Sequence, residues 1–87
     1  MEYGKYIIIE NMGIPCPIMF SPLLSHARIA GDSKVISAGF FEVFITGDME
    51  SNKEISAIEV NTFGKSTTLK IDSNKEDKEI LRKVLVH

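Results

Sequence analysis

A single cysteine, Cys16, and two histidines are the whole supply of thiol and imidazole in this 87-residue chain. One cysteine excludes an internal disulfide and any zinc site built on cysteine pairs, and fits a reducing compartment. With only His26 and His87 to contribute, a metal would rest on carboxylates, and no carboxylate cluster has ligand spacing. Neither a metal nor another cofactor is expected. A dominant charge is missing too: ten basic and twelve acidic residues leave a net charge of −2. That balance lacks the basic stripe that holds a nucleic-acid duplex by counterion release. It leaves room for a local basic pocket around one small anion. Long apolar runs are also absent. Ile7-Ile8-Ile9 stops at Glu10, far short of a membrane span, and the acid-bearing start Met-Glu-Tyr-Gly-Lys-Tyr is no signal peptide. The expected location is the cytoplasm.

What is present is a small apolar domain. At 44% hydrophobic residues, residues 1–87 form one α+β unit. A chain of this size buries only roughly 60–65% of its extended surface on folding. Burial between copies would supplement it, so a homodimer or larger homo-oligomer is expected.

The stretch Lys34–Gly47 organises the rest. Read with period two, Val35, Ser37, Phe41, Val43 and Ile45 share one side, and Ile36, Ala38, Phe40, Phe44 and Thr46 the other. Both sides are apolar, which predicts a central strand covered on both faces. Gly39 within it marks a bulge, a bend or a close approach to the backbone. Before it, Lys5–Glu10 and Ile18–Phe20 read as a hairpin across the Asn11-Met12-Gly13 turn. Pro15 and Pro17 confine the second strand to an edge. Ser21-Pro22 predicts the start of a short helix with Leu23, Leu24, Ala27 and Ala30 on one face, stopped by Gly31. After the spine, Thr46–Glu54 reads as a polar hairpin loop and Ile55–Phe63 as the returning strand. Lys65–Ile71 reads as a further strand, bent through Gly64 or separated from its predecessor by a turn. Ser73 and Glu76 predict a capping box for a C-terminal helix with Ile80, Leu81, Val84 and Leu85 as its apolar stripe. The expected fold is an antiparallel sheet of about four to five strands, a short helix after the second strand and a C-terminal helix.

Several constellations carry chemistry, each weakly. Gly64-Lys65-Ser66-Thr67 is similar to the tail of a phosphate-binding loop, but Glu59 stands where the motif needs its first glycine and no long helix follows. A glycine, a lysine and hydroxyls at a strand bend can still hold a phosphate without cleaving it; a solvated bend is the plainer account. Cys16 has no adjacent cation to make it a nucleophile and reads as a packed side chain. His26 and Arg28, with Lys34 beyond, form a basic rim open to a ligand, for which helix-end electrostatics is the plainer account. Glu42 interrupts an apolar strand, so it must be paired, solvated or protonated; it reaches solvent at a sheet margin or pairs with a lysine, and Glu59 is its one carboxylate companion nearby.

The order Pro17-Ile18-Met19-Phe20, Lys34-Val35-Ile36-Ser37-Ala38-Gly39-Phe40, Gly64-Lys65-Ser66 and Glu76-Asp77 resembles a group of short uncharacterised proteins encoded by phages and prophages. The resemblance spans most of the chain and departs from the shorter forms at the longer Thr46–Glu54 loop. The group carries no agreed activity. A phage origin implies a non-enzymatic protein in the host cytoplasm that blunts host defence, by sequestering a signal nucleotide or by occluding a host protein.

The reading that unites these points is a homo-oligomeric, non-enzymatic binding protein for a small anionic or nucleotide-like ligand. Ser37, Gly39 and Phe40 would supply an approachable backbone and a stacking ring. Gly64, Lys65 and Ser66 would add charge and hydroxyl if Gly64 lies alongside, with His26 and Arg28 as a basic rim. The alternative is a protein–protein inhibitor or adaptor that pairs a strand edge or occludes a surface.

Overall fold

A computed structural model describes residues 2–46 and 57–85. Eight elements follow in order: β1 (Glu2–Asn11), β2 (Ile14–Phe20), α1 (His26–Ala30), β3 (Val35–Thr46), β4 (Ala57–Phe63), β5 (Lys65–Ser66), β6 (Ile71–Asp72) and α2 (Asp77–Leu85). Four strands form one antiparallel sheet in the order β2-β1-β3-β4, and β5 pairs with β6 in a small second sheet. The fold is therefore α+β with strands dominant. Beyond Thr46, the expected Thr46–Glu54 loop lies outside the described residues, as do Ile55, Ser56 and His87. No helix among the described residues is long and apolar enough to cross a membrane.

The β1–β2 hairpin closes through Met12 and Gly13, both at positive φ (54° and 80°). That is the mirror-image turn whose twist suits paired strands. Asn11 instead ends the ladder opposite Ile14. β2 lies at the sheet margin, where Pro15 and Pro17 remove no central ladder bond.

β3 occupies the middle, as its two apolar sides require. One side carries Tyr6, Ile8, Phe41, Val43 and Val60 under Leu81 of α2, with Met19, Ile58, Ile80 and Leu85 packed around them. The opposite side carries Ile7 and Ala38 under Ala30, with Ile9, Ile18, Phe20, Ile29, Val35, Leu69 and Ile71 around them. A bulge opposite Ile8 and Ile9 shifts the register, so that Ile9 faces Val35 and Ile36 is passed over. Strict alternation put Val35 with Ser37; the bulge moves it to the other side.

Three expected elements change. Ser21 does not start a helix: its Oγ accepts from Leu23 N at 3.2 Å, a local turn. The helix begins after Ser25, whose Oγ accepts from Arg28 N at 3.1 Å. Leu23, expected on the packed face, is 92% exposed. Gly31 does stop the helix, its N–H bonding Ala27 O at φ 54°. Lys65–Ile71 is not one strand; a turn separates the two-residue strands β5 and β6. Ser73 and Glu76 do not form the capping box. The Ser73 hydroxyl donates to Gly64 O at 2.7 Å, while Asp77 Oδ2 accepts Asn74 N–H at 2.8 Å. The cap is thus an Asn74–Asp77 pair, one residue further on, with the acid reaching back to an otherwise orphaned donor.

Candidate functional site

Antiparallel register sets the site. Lys5 lies opposite Phe40, and Phe40 opposite Phe63, across β1, β3 and β4. The next row on the same face is Tyr3, Glu42 and Asn61. Period-two alternation therefore gathers Tyr3, Phe40 and Phe63 from three strands. Their rings lie nearly parallel, with centroids 5.9–6.4 Å apart. Phe40 is the hub. His26 meets it edge-on at 5.7 Å, and Lys5 Nζ sits 5.8 Å from its centroid while donating to Leu24 O at 2.9 Å. Tyr3 and Phe63 form the outer rings and stay 46% and 42% exposed. Neither α1 nor α2 roofs this part of the face.

The glycines explain how the chain closes around Phe40. At Gly39 a Cβ would sit 2.7 Å from Phe63 O and 3.1 Å from Ser73 Cβ. The expected close approach is thus by β4 and by the segment leading into α2. At Gly64, φ is +74° and a Cβ would stand 3.0 Å from the Phe40 ring. Gly64 therefore turns the chain beside Phe40 and carries it from Phe63 into Lys65 and Ser66.

Beyond Gly64 lies a shallow depression of about 230 Å³ lined by Lys65, Ser66, Thr67, Lys70 and Asp72. Ser66 has no exposed surface. Its Oγ accepts from Leu69 N at 3.1 Å and lies 3.2 Å from Thr68 Oγ1. It holds the turn rather than meeting a ligand. Lys65, Thr67, Lys70 and the acid Asp72 are the exposed groups of the wall.

The remaining candidates separate. Ser37 is buried and donates to Asp77 Oδ1 at 2.9 Å beneath α2, on the opposite face from Phe40. Asp77 Oδ2 also takes the Tyr6 hydroxyl at 2.5 Å. Burial first, and then this carboxylate, hold the Tyr6 phenol far above its usual value of 10.0. Ser37 therefore belongs to a closed structural network. His26 is buried, and its Nε2 meets Gly39 O at 2.7 Å; because a carbonyl only accepts, Nε2 carries the proton. The expected basic rim does not assemble: Arg28 is exposed on α1, and Lys34 pairs with Glu10. Cys16 Sγ has Ile14 O as its partner at 3.6 Å. Glu42 sits half-buried on the central strand rather than at a margin, between Tyr3 and Asn61. Glu59 is offset from it, opposite Phe44.

The structure thus joins Phe40, Gly64, His26 and, beyond them, Lys65; Gly39 meets them through its carbonyl alone, its missing side chain lying on the closed face beside Tyr6, Ser66 is buried in the turn, and Ser37 and Arg28 lie apart. It adds Tyr3, Lys5, Phe63, Thr67 and Lys70. A period-two reading of residues 3 to 7 would have placed Tyr3 and Lys5 on one face, but only the pairing shows that this is the face of Phe40. Among the described residues no three His, Cys, Asp or Glu side chains gather as metal ligands. No protein-family model matches the chain, and no curated protein or solved structure matches it.

Proposed function

We propose that this chain is a small binding protein, acting without catalysis, that takes a nucleotide-like anion on the open half of its sheet. A single observation supports the reading: Gly64 packs against Phe40, so the Tyr3–Phe40–Phe63 row runs directly into the lysine-bearing turn. The exposed outer rings offer flat apolar surface to a base, and stacking of this kind contributes about 1–3 kcal/mol per base. Phe40 itself is hemmed in and orients its neighbours. Homo-oligomerisation belongs to the same proposal, since a second copy laid over the half-open face would enclose a ligand that one small sheet cannot. The phage-type role of sequestering a defence signal in the host cytoplasm is the biological form of that proposal.

Thermal shift with a panel of cyclic and linear nucleotides tests it. At least one should raise the melting temperature, and Phe63→Ala should abolish the rise. Sedimentation across a dilution series reads the oligomer. A panel without any shift removes the ligand-binding reading.

The protein–protein alternative has its own support. Among the described residues β4 ends the sheet, and it borders a groove of about 200 Å³ shared with Lys78, Glu79 and Arg82 of α2. Arg82 Nε already donates to Ile58 O at 3.2 Å, which obstructs one point of that edge. With Lys65–Ile71 broken by a turn, β4 is the edge that a partner strand would extend.

A further inference from the structure

The β5–β6 turn holds a feature that the aromatic row does not explain. Lys70 adopts φ 58°, the left-handed region where glycine or asparagine is the ordinary occupant. Met12 takes the same conformation in a plain hairpin turn; what singles out Lys70 is its place, with Lys65, on the wall of the depression. The turn around it is firmly tied. Ser66 Oγ holds Leu69 N, and Thr68 Oγ1 accepts Ala27 N at 3.3 Å, which anchors the turn to α1. Lys65 and Lys70 both line the depression, and among the described residues neither forms an ion pair. The one acid on its wall, Asp72, faces Lys65 across the β5–β6 ladder.

We infer that this depression is a phosphate subsite, with the Lys65 and Lys70 ammonium groups binding the anion and the Thr67 hydroxyl donating to it. Lysine suits this as a compact charge with three donors. Asp72 opposes a bare anion, and its carboxylate can instead accept a hydroxyl from the organic part of a phosphate ester. The left-handed turn fixes the Lys70 backbone before the ligand arrives, so little ordering remains to be done on binding. The inference rests on the binding role proposed above and supplies the charge of its ligand.

The test is calorimetric titration of the full chain with inorganic pyrophosphate, with a nucleoside lacking phosphate, and with the corresponding nucleoside triphosphate. Pyrophosphate should bind, more weakly as salt is added. Lys70→Asn should weaken it about tenfold, the value of one charge-assisted contact. Asparagine accepts the left-handed conformation, so that variant should melt no lower than the parent. Asp72→Asn should tighten pyrophosphate by removing repulsion, and should not tighten the triphosphate by the same factor. Equal pyrophosphate affinity in the parent and in Lys70→Asn, or no pyrophosphate binding, overturns the subsite. If the nucleoside binds while pyrophosphate does not, the aromatic face stands and the subsite fails. If the triphosphate binds no better than pyrophosphate and Lys70→Asn weakens both, the subsite stands and the aromatic reading fails.

Discussion

Under α2 the sheet carries Tyr6, Ile8, Phe41, Val43 and Val60 closed beneath Leu81. Across the same strands Tyr3, Phe40 and Phe63 form a row whose outer members remain nearly half exposed. Both faces are built by one alternating pattern, and both are rich in large apolar groups. They differ in what the chain lays over them. α2 brings an apolar stripe and one buried acid, Asp77, which is consumed by Tyr6, Ser37 and the backbone of Asn74. On the other face α1 and the β5–β6 turn cover the half around Ile7 and Ala38 and stop short of Phe63. Among the described residues, one face is closed as structure and the other only in part. Substitutions on the first should cost folding, and on the second, binding.

The sharpest way to break that contrast is Leu81→Ala. Leu81 is fully buried at the centre of the closed face, and removing such a side chain costs about 2–5 kcal/mol through lost transfer energy and the cavity left behind. Urea denaturation should show it as a lowered midpoint with little change in slope. A loss under about 1 kcal/mol would mean that α2 is not the roof described.

Tyr6→Phe comes next and isolates the polar part of the same face. The variant keeps the ring and removes a hydroxyl whose partner, Asp77, retains Ser37 and Asn74; the cost should be about 1–2 kcal/mol. The pH dependence gives a separate signature. The Tyr6 phenol is raised above 10.0 in the folded protein by burial and by the Asp77 carboxylate. Its contribution is therefore fully present below pH 10 and declines as alkali ionises the phenol of the unfolded chain. Parent stability should fall above pH 10, and the part of that fall due to Tyr6 should vanish in Tyr6→Phe. Equal alkaline slopes in the two proteins would remove the buried phenol from the account.

The two faces also differ in how legible they were. Most of α2 is legible directly, because Ile80, Leu81 and Leu85 recur at helical spacing and pack inward, whereas Val84, expected in the same stripe, stays 46% exposed. Its polar anchor is not: Tyr6 and Asp77 are 71 residues apart, and no local pattern joins them. Ser73 illustrates the same limit. Its spacing to Glu76 satisfies a capping rule, but folding brings the Gly64 carbonyl to its hydroxyl, and that tertiary bond wins. At the candidate site, Gly39 and Gly64 were legible as places of close approach and turning, and Phe40 as an aromatic on the spine. The row it anchors was not, because Tyr3 and Phe63 join it only through strand register. Ser37 and Ser66 both have partners that no local pattern reveals. A hydroxyl beside a candidate site looks available until the fold shows which backbone or side chain already holds it.

Phe63→Ala should have the smallest effect on stability and therefore sharpens the comparison most. Its ring touches Phe40 and Tyr3 but keeps 42% of its surface in solvent. The loss should be about 1 kcal/mol or less, well below the 3–5 kcal/mol expected of a fully buried phenylalanine. Gly39 packs against the backbone oxygen of Phe63 rather than its ring, so the strand pairing survives truncation. Chemical denaturation measures the first quantity, and nucleotide-induced thermal shift the second. A variant nearly as stable as the parent that no longer responds to ligand is the outcome expected of an open binding face. A loss of stability approaching that of Leu81→Ala would show instead that the aromatic row is a second core, with the face closed by something other than a ligand.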